Sequence, residues 1–200
     1  MSAALLKRQT HRPADGLPFI DDLSLTYARA HEFCGPSRRT LALLAAQNTD
    51  GHIFWIHSHW ETDRLLGDGI CPWIDPTRIT FAMPKRLEDI LWCVEEVLRA
   101  GCVPLVIAEL PDPPPLTPIR RLHLAAETGA QRRKVNPIAL ILTPGDGGAA
   151  GVETRWHLSP QHKADHDGWM LQRRRARMAP PAAWAMRITD GKPHLHGAIN

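Results

Sequence analysis

Apolar residues fall along this chain in two alternating rhythms: short dense runs rich in β-branched and aromatic side chains, and longer stretches repeating every three or four residues. AHEFCG (30–35) predicts a strand running into a glycine turn, and SRRTLALLAAQ (37–47) carries Leu and Ala at helical spacing. GHIFWIH (51–57) follows an Asp50-Gly51 turn signal and predicts a second strand. ETDRLLGDG (61–69) reads as a short helix closed by glycine, and RITFAM (78–83) as a third strand. The strongest helix covers KRLEDILWCVEEVLRAG (85–101), with Leu87, Ile90, Leu91, Val94, Val97 and Leu98 on one stripe and Gly101 placed as its stop. VPLVIAEL (103–110) is a near-continuous apolar run, as a central strand covered on both faces requires. LTPIRRLHLAAETG (116–129) predicts a second amphipathic helix and PIALILT (137–143) another buried strand.

After the glycine-rich PGDGGAAG (144–151), VETRWHL (152–158) and WAMRI (184–188) predict two strands with no helix between them. Alternating strands and helices imply right-handed βαβ units. The expected fold is therefore α/β, a mainly parallel central sheet flanked by helices with an antiparallel C-terminal extension. Residues 1–16 read as a flexible arm, 17–188 as a single domain and 189–200 as a flexible tail, with no internal repeat.

Composition narrows this picture only modestly. A chain of 200 residues, 44% hydrophobic and 22% charged, suits one domain with a sizeable core. The net charge of +3 does not announce nucleic-acid binding. Cys34, Cys71, Cys93 and Cys102 lack CxxC spacing, which leaves reduced, buried thiols in a cytoplasmic protein as the expectation. The apolar run before Lys7 and Arg8 is too short for a signal peptide, and none reaches the roughly 18 residues a membrane helix needs.

Three places invite chemistry. Gly35-Pro36-Ser37-Arg38-Arg39-Thr40 joins a strand to a helix, where backbone amides cradle phosphates in nucleotide-binding loops. Ser37 or Thr40 offers a hydroxyl to a metal and Arg38 or Arg39 meets an anion, but the second glycine and the lysine of GxxxxGK[ST] are absent. A turn that is structural or merely tolerates anions is the stronger reading. Glu109 ends a strand and has the position of an acid that binds Mg²⁺ through water. HSHWETD (57–63) places His57 and His59 on one side of an extended chain beside Glu61 and Asp63, but no further ligands belong with them. His194 and His196 fall in the expected tail, so no metal site is assigned.

Basic residues cluster. Arg132, Arg133 and Lys134 follow the second long helix, where Arg120 and Arg121 also lie, and LQRRRARMAPP (171–181) contributes Arg173, Arg174, Arg175 and Arg177. These are candidates for contact with DNA or an acidic partner, against the alternative of a solvated face. Trp156, Trp169 and Trp184 share this third of the chain, where aromatic–arginine surfaces anchor partners.

With its segments in order, the chain resembles the RecA-like superfamily, and within it the ImuA family of bacterial mutagenic repair cassettes. LSLTYARAHEFCGPSRRTLAL resembles that family's opening strand and nucleotide loop, cut short. DPTRITFAMPKRLEDILWCVEEVLRAGCVPLVIAEL is similar to its third strand, long helix and Walker B strand, and LTPIRRLHLAAETG to its RRLxLAAE helix. TRWHL and LQRRRARMAPPAAWAMRI are similar to its closing strands, so the likeness spans about residues 17–188. On this resemblance, Gly35, Ser37, Arg38, Arg39, Thr40 and Glu109 mark a degenerate nucleotide site. No residue replaces the Walker A lysine, and Glu109 stands at the Walker B acid. His59 or Glu61 falls near the water-activating glutamate, and PGDGGAAG replaces the loop with which RecA grips single-stranded DNA.

The resemblance implies a non-enzymatic accessory protein of the DNA-damage (SOS) response. It would support error-prone translesion synthesis without ATP or Mg²⁺. The implied partners are an ImuB-like homologue of Y-family polymerases and an error-prone C-family DNA polymerase, with RecA and single-stranded DNA as further candidates and no membrane. The alternatives are a DNA-stimulated ATPase with an atypical phosphate loop and a SulA-like inhibitor of cell division.

Overall fold

The computed structural model describes residues 15–133, 135–164 and 167–199. Its first element is a hairpin, β1 (Gly16–Ile20) and β2 (Leu23–Thr26), which turns at Asp21 with a φ of 43°. The hairpin enters the arm expected over residues 1–16 at its last residue, and residues 1–14 lie outside those described. β3 (Ala30–Cys34), α1 (Arg38–Gln47) and β4 (Ile53–Ile56) follow as the hydrophobic pattern predicts. After α2 (Gly67–Ile70) and one 3₁₀ turn come β5 (Ile79–Ala82), α3 (Leu87–Ala100), β6 (Leu105–Glu109), α4 (Leu116–Arg132) and β7 (Ile138–Thr143). Four strands close the chain: β8 (Thr154–Pro160), β9 (Gly168–Ala176), β10 (Ala182–Thr189) and β11 (Lys192–Ile199).

Nine strands form one sheet in the order β11-β10-β9-β8-β3-β7-β6-β4-β5. From β8 to β5 all neighbours are parallel, and β9, β10 and β11 extend the sheet antiparallel. The α/β class, the largely parallel centre and the antiparallel extension thus agree with the sequence pattern.

Alternation along each strand splits the core in two. Leu105, Ile107, Leu140 and Leu142 pack with α1, the β1–β2 hairpin, Trp55 and Trp156 on one face. Val106, Ala108 and Ile141 pack against Ile90, Val94 and Leu98 of α3 and Ile119 and Leu122 of α4 on the other. The two helices approach so closely that a Cβ on Gly129 would stand 2.0 Å from the Leu98 carbonyl oxygen. Gly101 stops α3 in the left-handed region at φ 62°, as its position predicts.

Three expectations need correction. The helix expected over 61–69 shrinks to Gly67–Ile70, because Asp63 is drawn to Arg39 through its side chain and its carbonyl. Of the tail expected over 189–200, the described residues 189–199 are ordered into the sheet. Asp190 and Gly191, with φ of 51° and 73°, make a two-residue hairpin turn that pairs Thr189 with Lys192 and lays β11 along β10. The arginine run at 171–177, expected as a basic surface and, on the resemblance, within the closing strands, is mostly strand β9. The thiols also divide: Cys34 is buried and Cys93 half-buried, but Cys71 and Cys102 are exposed, and all four are free.

Candidate functional site

β3 leads to α1 on one face of the sheet, whereas β6 leads to α4 on the other. The crevice beyond the carboxyl ends of these strands is where an α/β sheet binds ligands. A cavity of about 200 Å³ lies there, lined by Arg38, His57, Ser58, Glu61, Glu109 and Pro144 among others. Of the predicted nucleotide-site residues, Arg38 and Glu109 line it, and Arg39 reaches Glu109 beside it.

Their hydrogen bonds are turned inward. The Gly35 amide donates to the Gly145 carbonyl at 2.9 Å and the Ser37 amide to the Leu158 carbonyl at 3.1 Å. The Arg38 amide donates to the Gly35 carbonyl at 3.3 Å. These amides are spent on protein carbonyls, leaving little of the cradle that phosphate needs. Gly35 holds φ 89°, and a Cβ there would stand 2.5 Å from the Leu158 carbonyl oxygen, so β8 takes the space beside the loop. Ser37 precedes α1 without a side-chain capping bond, and Thr40 is half-buried in its first turn.

Arg39 reaches from α1 into the crevice. Its Nε–H donates to Glu109 Oε2 at 2.8 Å, and its terminal nitrogens donate to the Asp63 carboxylate and carbonyl, both at 2.7 Å. Burial opposes its charge, but Glu109 and Asp63 outweigh burial and hold its pKa above the usual arginine value. Trp55 Nε1–H donates to Glu109 Oε1 at 2.7 Å, so both oxygens of the candidate metal-binding acid are engaged. Arg38 donates to the Gly35 carbonyl at 3.3 Å, while its Nε is buried without a partner.

A second anion site nearby is also filled from within, by Glu32, which sequence reasoning missed. This fully buried carboxylate accepts from the Thr143 hydroxyl at 2.7 Å, from the Gly148 and Ala149 amides at 2.8 and 3.0 Å, and from Arg155. Arg155 also donates to the Ala149 carbonyl at 2.9 Å. The glycine-rich loop is folded around the protein's own carboxylate. Its signal was an acid at the centre of an apolar strand, a place where charge survives only with partners.

The histidine arrangement separates. β4 ends at Ile56; His57 is buried, with Nδ1 3.0 Å from the Ser58 carbonyl, and His59 is exposed. His194 lies on β11, 3.5 Å from Asp21. Among the described residues no three His, Cys, Asp or Glu side chains gather as metal ligands would.

The described residues of the basic clusters fall on or just past two elements, α4 and β9. Arg132 and Arg133 are exposed at the end of α4, and Lys134 lies outside the described residues. On β9, Arg173 lies over the rings of Trp156 and Trp184, 5.8 and 5.3 Å from their centroids. Arg174 pairs with Asp146 at 2.7 Å and Arg177 with Glu153 at 3.3 Å, while Arg175 is exposed. No described helix is long and apolar enough to cross a membrane. Comparison with known proteins yields no matching family model and no matching curated protein.

Proposed function

We propose that this chain is a RecA-like accessory protein of the bacterial DNA-damage response that supports error-prone translesion synthesis by binding other proteins, without hydrolysing ATP. The observation that carries the reading is Arg39. A cation from the first turn of α1 is bonded to the acid at the end of β6, in the crevice where a nucleotide and its metal would meet. The engaged amides of Gly35, Ser37 and Arg38 support it, as do the parallel pairing of the loop strand with both its neighbours and the resemblance to the ImuA family. Arginine is no substitute for the loop lysine here, because its planar fork is committed to two acids.

Titration calorimetry against an ImuB-like polymerase homologue and an error-prone C-family polymerase tests the proposal. Binding to either, with damage-induced mutagenesis lost on deletion, supports it; no binding with normal mutagenesis overturns it. Millimolar ATP with Mg²⁺ is expected to leave the melting temperature unchanged, whereas a ligand at a hundred times its Kd would add about 2.7 kcal/mol.

A further inference from the structure

A groove of about 350 Å³ opens between the N-terminal hairpin and the antiparallel end of the sheet. Leu23 and Thr26 of β2, Trp156 of β8, Arg173 and Ala176 of β9, and Met178 line it. Three features there are left without partners. Among the described strands β2 is hydrogen-bonded to β1 alone, so no described strand pairs with its other edge, where the Thr26 carbonyl lies 3.0 Å from His31 Nε2. Met178 is 66% exposed at the mouth.

The third feature is Arg173. Its guanidinium is fixed by Trp156, Trp184 and a bond from Nε–H to the Pro180 carbonyl at 3.0 Å, but no described carboxylate pairs with it. Burial lowers its pKa, with no acid to offset the effect. A half-buried cation held rigid without a counter-ion is complementary to an anion from outside. The acids of the groove do not serve: Glu153 is taken by Arg29 and Arg177, and Asp22 is exposed on the hairpin turn.

We propose that this groove binds a short extended segment of a partner protein, an acidic side chain of the segment pairing with Arg173 and its apolar neighbours resting on Leu23 and Met178. The free edge of β2 supplies backbone hydrogen bonds, and Arg173 fixes the register. Nucleic acid fits this groove less well. The adjacent Arg174 and Arg177 are already paired, so a phosphate chain would meet one free cation flanked by Asp22 and Glu153. The inference rests on the reading of the chain as a protein-binding module, and it is independent of which protein is bound.

The test is selection of a random dodecapeptide library on the full chain, followed by fluorescence anisotropy with the enriched peptides. Enriched sequences are expected to carry Asp or Glu beside apolar residues. Arg173→Gln should weaken them at least tenfold, as should replacing their acid by its amide. Because Arg173 packs on two tryptophans, Met178→Asp is the second variant; it touches only the exposed mouth and should weaken binding to a similar degree at an unchanged melting temperature. No enrichment, enrichment without an acid, or binding indifferent to both variants overturns the proposal. Displacement of the peptides by labelled oligo(dT), with a steep salt dependence, overturns it in favour of nucleic acid. Groove-dependent peptides found where neither polymerase binds and mutagenesis is normal uphold the groove and refute only the damage-response reading.

Discussion

Toward the carboxyl ends of β3, β6 and β7 two acids find partners in the same chain, Glu32 in Thr143, two loop amides and Arg155, and Glu109 in Arg39 and Trp55, while Arg38 beside them keeps one buried nitrogen without a partner. Farther along the same sheet, on β9, Arg173 is equally well positioned between tryptophans but faces a groove with no described acid to meet it. A buried charge satisfied internally holds a fold together, while one left unsatisfied on rigid supports is directed at something else. On the proposed reading the first region, which has the outline of a ligand site, serves as scaffold, and the second, which has the outline of a solvated basic strand, is the contact surface.

Removing Glu32 should break the scaffold most severely. Glu32→Gln leaves the half-buried Arg155 beside a neutral amide that cannot accept from four donors at once. The expected cost is about 3–5 kcal/mol, read from urea denaturation, with the loop at 144–150 becoming susceptible to protease. A loss below about 1 kcal/mol would mean that the loop holds its shape without the carboxylate, and the contrast between the regions would weaken.

Acid should strain the same strand by another route. His31 is fully buried on β3, between the Thr154 hydroxyl at 2.7 Å and the Thr26 carbonyl at 3.0 Å, and burial, with His123 and Arg29 adding repulsion, lowers its pKa from 6.5 to about 4. The unfolded chain therefore takes up a proton at higher pH than the folded one. Stability should fall as pH drops below 6.5 and level off below about 4, with a total loss approaching about 3 kcal/mol from this group. His123 is shifted the same way but is more exposed and adds less. Denaturation midpoints between pH 7 and pH 4 read the slope, which His31→Gln should flatten.

How much of this was legible follows from the separation of the partners. The parallel core could be read because VPLVIAEL and PIALILT declare burial by themselves. The last hairpin was not legible: Asp190-Gly191 is a turn signal, but the polar residues around it read as a tail. Strand β9 was legible only through the resemblance, because its arginines gain a packed environment only when Trp156 and Trp184 arrive from neighbouring strands. The sequence showed that the loop lacks its lysine, but not what fills the crevice. Arg39 meets Glu109 across 70 residues, and Glu32 meets the Gly148 amide across 116. No local pattern encodes either pair.

Opening the crevice should cost less than removing Glu32. Arg39→Ala strips Glu109 of its cation while leaving the Trp55 bond, and it frees Asp63 with the segment leading to α2. A loss of about 2–3 kcal/mol is expected. If Arg39 alone keeps nucleotide out, the variant should gain a thermal shift with ATP and Mg²⁺ that the native chain lacks. If the engaged amides of Gly35, Ser37 and Arg38 also matter, no shift appears, and that is the expected result.

The smallest effect belongs to the pair that looks most like those of the scaffold. Arg174 meets Asp146 at 2.7 Å, close to the 2.8 Å between Arg39 and Glu109, yet Asp146 is 83% exposed where Glu109 is 11% exposed. Water and salt screen such a pair, and holding two mobile side chains together offsets much of its attraction. Asp146→Asn should leave the denaturation midpoint unchanged in moderate salt. It should also free Arg174 as a cation on β9 without restoring peptide binding to the Arg173→Gln variant, because Arg174 lacks the tryptophan support that fixes Arg173 over the groove. Recovery of binding in the double variant would show that any free arginine on this strand suffices, and the distinction between a positioned cation and a merely exposed one would fall.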